Sequence, residues 1–287
     1  LIALGYVLCR CTGLKRPVWQ GVEALVYYLL FPLLLFYSIV RRPINWAAAS
    51  YFLLAGVFTT LLAIALAYSV PYWPLLGRYI DQSAHRATAQ VAFRFNSYIT
   101  LALAQRLLDA QGMLLIAMLL GVCVPLVNLV TVYFMAQGHS RNIFAQLLRN
   151  PPIIATLSGI TCSALSWPLP AWLAPNLARL GSSSIVLGLM CVGAGMQLGA
   201  LNHHYLLSTV LLGIRHLVLP LIALAMVWLF GLTGMQALAL MLFSAMPTAP
   251  TCYVFAVRMG YDGSYVAGLI TLSTLLGMLS LPFALSS

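Results

Sequence analysis

The stretch SAMPTAPTCYVFA, residues 244–256, decides how this chain is read. Pro247 and Pro250 stand three apart inside an apolar run of approximately 235–258. Each proline removes a main-chain donor and crowds the preceding turn. A helix crossing a membrane here is expected to break near its middle. The freed carbonyl and amide groups, with the hydroxyls of Thr248 and Thr251, then need partners. A substrate or an aqueous cavity can supply them. A kinked packing helix is the alternative, because proline is common in membrane spans.

Working outward, the composition makes lipid the solvent. Of 287 residues, 62% are hydrophobic and only 6% charged, and mean hydropathy is +0.99. A soluble domain carries about 25% charged residues and could not cover its surface with so few. Long continuous apolar runs, rather than short alternating segments, exclude a β-barrel and leave helices as the spanning element. The formal charge of +10 comes from 14 Lys+Arg against 4 Asp+Glu. In a membrane chain that excess marks cytoplasmic loops and anionic lipid headgroups rather than nucleic acid.

Ten apolar segments are read: approximately 1–9, 18–39, 46–70, 87–107, 111–137, 143–166, 170–201, 205–230, 235–258 and 263–285. They form one transmembrane domain, 1–287, without a soluble insertion. The first is too short to span, so something like ten or more residues are expected ahead of Leu1. In alternate loops, one set holds Arg10, Lys15, Arg16, Arg78, Arg86, Arg141, Arg149 and Arg258, and the other Arg41, Arg42 and Arg106. The positive-inside rule puts the first set in the cytoplasm and both termini outside it.

Five spans plus five allow two inverted repeats, 1–137 and 143–287, an arrangement underlying many secondary transporters. Faint internal echoes fit it. Asn96-Ser97-Tyr98-Ile99 in the fourth segment matches Thr248-Ala249-Pro250-Thr251 in the ninth, and Val124-Pro125-Leu126 in the fifth matches Leu281-Pro282-Phe283 in the tenth.

The fourth segment carries Arg94 and Asn96 in an otherwise apolar run. An intramembrane charge is expensive and faces an interior or aqueous path. Arg94 either neutralises a substrate carboxylate or snorkels to the headgroups. Asn96 can donate and accept hydrogen bonds to a ligand, and Asn128 either lines the same cavity or joins helices. Gln197 lies among Gly188, Gly193, Gly195 and Gly199, which read as close helix packing. Arg215-His216 is either a proton or anion element or, as the absence of a carboxylate in its segment favours, structural packing. The four carboxylates Glu23, Asp81, Asp109 and Asp262 fall near span ends. Cys9-x-Cys11 lacks a second ligand pair, and the six cysteines imply no disulfide framework. Neither a metal-hydrolase motif nor a phosphate loop is found, so no cofactor and no metal is expected, and an enzyme is poorly supported.

Several stretches together resemble the auxin efflux carrier family. They are LGYVLCRCTGLKRPVWQGVEALVYYLLFPLLLF (4–36), RFNSYITLALA (94–104), NPPIIATLSGI (150–160) and AMPTAPTCYVFAVRMGYD (245–262). The resemblance implies an all-α fold of ten transmembrane helices in two inverted five-helix repeats, with broken helices four and nine crossing at the centre. It implies a secondary transporter of a small organic anion in a bacterial inner (plasma) membrane. Asn96, Thr248, Pro250 and Thr251 would line the cavity, beside Arg94, Pro247 and Asn128. Ala102 stands where the family commonly has a proline, so a less sharply broken fourth helix is expected. A sodium-coupled organic-anion symporter of the bile-acid-carrier type is the nearest rival; a membrane-embedded enzyme and a passive pore are others. The expected partners are the anion, the bilayer and, as an option, a second copy in a homodimer.

Overall fold

The computed structural model describes residues 1–41, 46–74, 76–135, 151–165, 167, 169–196 and 204–286. Gln197 and Gly199, with the loop residues Arg42, Arg141 and Arg149, lie outside them. The described residues are helical in each of the ten segments: α1 Ile2–Cys11, α2 Arg16–Val40, α3 Trp46–Ser69, α4 Gln82–Thr88, α5 Ser97–Leu107, α6 Ala110–Met135, α7 Pro151–Ala164, α8 Leu173–Gly195, α9 Tyr205–Leu229, α10 Gly234–Ser244, α11 Thr251–Arg258 and α12 Gly263–Ser286. Six stretches, Arg16–Val40, Ala49–Tyr72, Ala110–Met135, Leu173–Gly195, Tyr205–Leu229 and Gly263–Pro282, are long and apolar enough to cross a membrane. The protein is an integral, all-helical membrane protein, and the one β feature among the described residues is an isolated bridge, Phe95 to Thr248.

The chain forms two compact units. The first comprises Leu1–Leu53, Tyr98–Pro125 and Asn142–Gly195. Here α1 lies along α8 at a separation only glycine permits. A Cβ on Gly5 would collide with the Met190 carbonyl, and one on Gly193 with that of Ile2. Gly188 takes the ring of Tyr98, and Gly195 faces the Arg16 guanidinium. These glycines therefore do the packing expected of them. Trp19 is buried with Cys191 and Ala194, its indole N–H donating to the Leu14 carbonyl at 2.9 Å.

The second unit comprises Leu54–Ser97, Leu126–Arg141 and Met196–Ser287. Its apolar core includes Ala63, Ile64, Phe93, Leu211, Leu219 and Ile270. Tyr68 stacks on Phe134 with centroids 3.9 Å apart.

A wide, π-helical turn interrupts one long helix in each unit: Val26–Leu30 in α2 and Ile214–Val218 in α9. Each ends two residues before a proline, Pro32 or Pro220. Proline lacks the N–H that its i−4 carbonyl would receive and crowds that carbonyl. The turn absorbs the misfit: Phe31 N–H reaches back to Val26, and Leu219 N–H to Ile214. Such bulges locally re-aim side chains and recur at functional sites.

Gly193→Val should lower the unfolding free energy by about 1–3 kcal/mol or more, because the neighbouring atoms are backbone and cannot step aside. Gly21→Ala, with nothing within 4 Å of its added Cβ, should instead raise it by roughly 0.5–1 kcal/mol. Thermal unfolding in detergent distinguishes the two.

Candidate functional site

The ninth segment is broken where its prolines stand. α10 ends at Ser244, residues 245–250 leave the helix, and α11 begins at Thr251. Three main-chain groups lose their helical partners, and each finds another. The Met246 carbonyl would accept from residue 250, but Pro250 has no N–H; Arg215 Nε donates to it instead, at 2.6 Å. The Pro247 carbonyl accepts the N–H of Asn96 at 2.8 Å. The Thr248 N–H is given to Ser273 Oγ at 2.9 Å.

The fourth segment is broken opposite. α4 runs into a tight 3-10 turn, Ala89–Ala92, and a turn at Phe93; residues 94–96 are non-helical, with Phe95 in the bridge, and α5 starts at Ser97. The break is complete although Ala102 and not proline follows, so the expected blunting is absent. Its cause is tertiary. Phe95 pairs antiparallel with Thr248, and the Asn96 N–H leaves its own helix for Pro247. Thr248 Oγ1 donates to the Val91 carbonyl at 2.8 Å. Gln90 Nε2 donates to the Cys252 carbonyl at 3.0 Å.

Arg94 joins this pairing. It is 4% exposed, which rules out snorkelling in this conformation. Its Nη2 donates to Thr251 Oγ1 at 2.9 Å and its Nη1 to Thr131 Oγ1 at 3.3 Å. The guanidinium also lies 4.4 Å from the Phe255 ring centroid, a cation–π distance. Thr251 is the first residue of α11, where the helix dipole is positive. A buried cation and a positive helix end therefore meet at one point, a combination that favours an anion.

Of the residues singled out from sequence, Arg94, Asn96, Pro247, Thr248, Pro250 and Thr251 come together through these contacts. Pro247 also packs on Gly277 of α12, where a Cβ would stand 3.2 Å away. Asn128 lies on α6 one turn before Thr131, and its Oδ1 is enclosed without a hydrogen-bond partner among the described residues. Thr131, Gln90 and Ser273 were not anticipated. Thr131 had one readable sign, its helical spacing from Asn128. Of the pair Arg215-His216, the arginine is fastened to the break, and His216 Nε2 pairs at 2.9 Å with Ser273 Oγ, which holds Thr248.

The membrane transport protein family profile matches residues 114–285, more than half of the chain. A protein of Methanothermobacter thermautotrophicus described as an uncharacterized transporter is 27% identical over 146 residues. That alignment covers 50% of this chain and 48% of the archaeal protein, so the chain spans about half the length of that relative.

Thr248→Val keeps the shape but leaves the Val91 carbonyl without its buried donor. It should cost about 1–3 kcal/mol of stability, read as a lower thermal midpoint in detergent. An unchanged midpoint would mean that this bond is not formed.

Proposed function

Because the chain belongs to the membrane transport protein family, that of the auxin efflux carriers, we propose that it is a secondary transporter moving a small organic anion, a carboxylate, by alternating access. In this reading ten spans form two inverted repeats, and the breaks in the fourth and ninth are the substrate site. The observation that carries the anion reading is Arg94 bonded to Thr251 at the positive end of α11. Asn96, Thr248 and Pro250 shape the main chain around that point.

An inside-negative potential favours anion exit by about 2.3 kcal/mol per charge per 100 mV, so export needs no coupling ion. The reading further puts the protein in a bacterial plasma membrane with both ends of this chain outside the cytoplasm, and it allows a homodimer.

The test is flux of radiolabelled small carboxylates in liposomes holding the purified protein, under an imposed potassium-diffusion potential. Saturable flux should reverse with the sign of the potential. Arg94→Gln should lower it about tenfold or more while folded yield holds. Folded protein that moves no carboxylate, or equal losses of yield and flux in Arg94→Gln, would sink the proposal.

A further inference from the structure

Arg215 is a buried cation that the anion site does not use. It is 1% exposed, and its Nη2 is enclosed with no hydrogen-bond partner among the described residues. A guanidinium held in such a place is costly, and a leucine or methionine would fill the space more cheaply. Its Nε donates to the Met246 carbonyl at 2.6 Å. That carbonyl is the one whose helical donor Pro250 deletes. It also lies two residues beyond the end of α10, where the helix dipole is negative and a cation is complementary.

The local backbone explains how the side chain gets there. Arg215 and His216 both sit within the π-helical turn Ile214–Val218 that Pro220 imposes on α9. Arg215 takes the Met246 carbonyl. His216 pairs with Ser273 Oγ at 2.9 Å through Nε2 and with Ser280 Oγ at 3.0 Å through Nδ1, and Ser273 receives the Thr248 N–H. One turn of α9 thus serves groups on both sides of Pro247.

We propose that Arg215 is a positioning residue: it stands in for the main-chain donor that Pro250 removes and fixes the register in which the ninth segment presents Thr248 and Thr251. This is independent of which solute is carried and of the role given to Arg94. It makes Arg215 and Pro250 a matched pair. With proline at 250 the carbonyl needs the guanidinium; with alanine at 250 an amide N–H is available four residues on, and the need disappears.

The experiment is hydrogen–deuterium exchange by mass spectrometry on the purified full chain, without substrate. It follows the amides of residues 245–256, with α8 as the internal reference. Arg215→Met should speed exchange in 245–256 by about ten- to hundredfold, the worth of one hydrogen bond to a charged group, and leave α8 unchanged. Arg215→Lys, which keeps a cationic donor, should restore most of the protection. Adding Pro250→Ala to Arg215→Met should also restore it, an effect that mere loss of packing would not give. Equal acceleration in α8, no acceleration at all, or a double variant as fast as Arg215→Met would each overturn the proposal. If Arg215→Met cannot be recovered folded, the double variant should be; its failure to fold would overturn the proposal as well.

Discussion

A carbonyl without a donor is tolerable in water and costly in a membrane protein's interior. Pro247 and Pro250 create that condition in the ninth segment, and much of the second unit is arranged around it. The Met246 carbonyl draws Arg215 from α9. The Pro247 carbonyl draws the Asn96 N–H and so pulls the fourth segment out of its own helix. The displaced Thr248 N–H draws Ser273 from α12. The main-chain groups freed at this break are thus met by groups from three other elements.

The two buried arginines of this region divide the electrostatics between them. Arg215 approaches the carbonyl end of α10, where its charge complements the dipole. Arg94 approaches Thr251 at the amide end of α11, where its charge adds to the dipole. The same residue type therefore has opposite meanings a few residues apart. At α10 the positive charge is answered by the protein's own main chain. At α11 it accumulates beside the positive helix end. Asp81 and Asp262 are used elsewhere, as exposed acceptors for the amides of Ala84 and Ser264 at helix starts.

The ninth break was legible in the sequence because its cause is local: two prolines in an apolar run announce it. The fourth break was legible only through its polar residues and a family resemblance. Nothing in RFNSYI forbids a helix, and the force that opens it comes from a carbonyl some 150 residues away. Arg215 reads as packing because its own segment holds no carboxylate. Its partner is a main-chain oxygen, which composition cannot display. The better signal was arithmetic on hydrogen bonds: Pro250 orphans the carbonyl of residue 246, and a side-chain donor such as Arg215 is one of the groups that can meet it. Ser273, Gln90 and Thr131 escaped notice because buried hydroxyls and amides in membrane helices commonly bond their own turn or a neighbouring helix.

The hydrogen bonds at the break fall into two sets with different consequences for motion. Arg94–Thr251, Gln90–Cys252, Thr248–Val91 and Asn96–Pro247 tie the fourth segment to the ninth. They are short, they involve both side chains and main chain, and together they make the two breaks one body. Arg215–Met246 and Ser273–Thr248 tie that body to α9 and α12. A displacement that moves the two breaks as a piece can leave the first set intact, because its donors and acceptors travel together. The second set spans the boundary of that piece. Any displacement of that piece relative to α9 must either carry the π-helical turn along or exchange its hydrogen bonds. The wide turn is suited to the first alternative, since a segment already off the i→i−4 register shifts at lower cost than regular helix. The proline that builds this turn in α9 and the prolines that open the ninth segment thus act on the same hydrogen bonds from two sides.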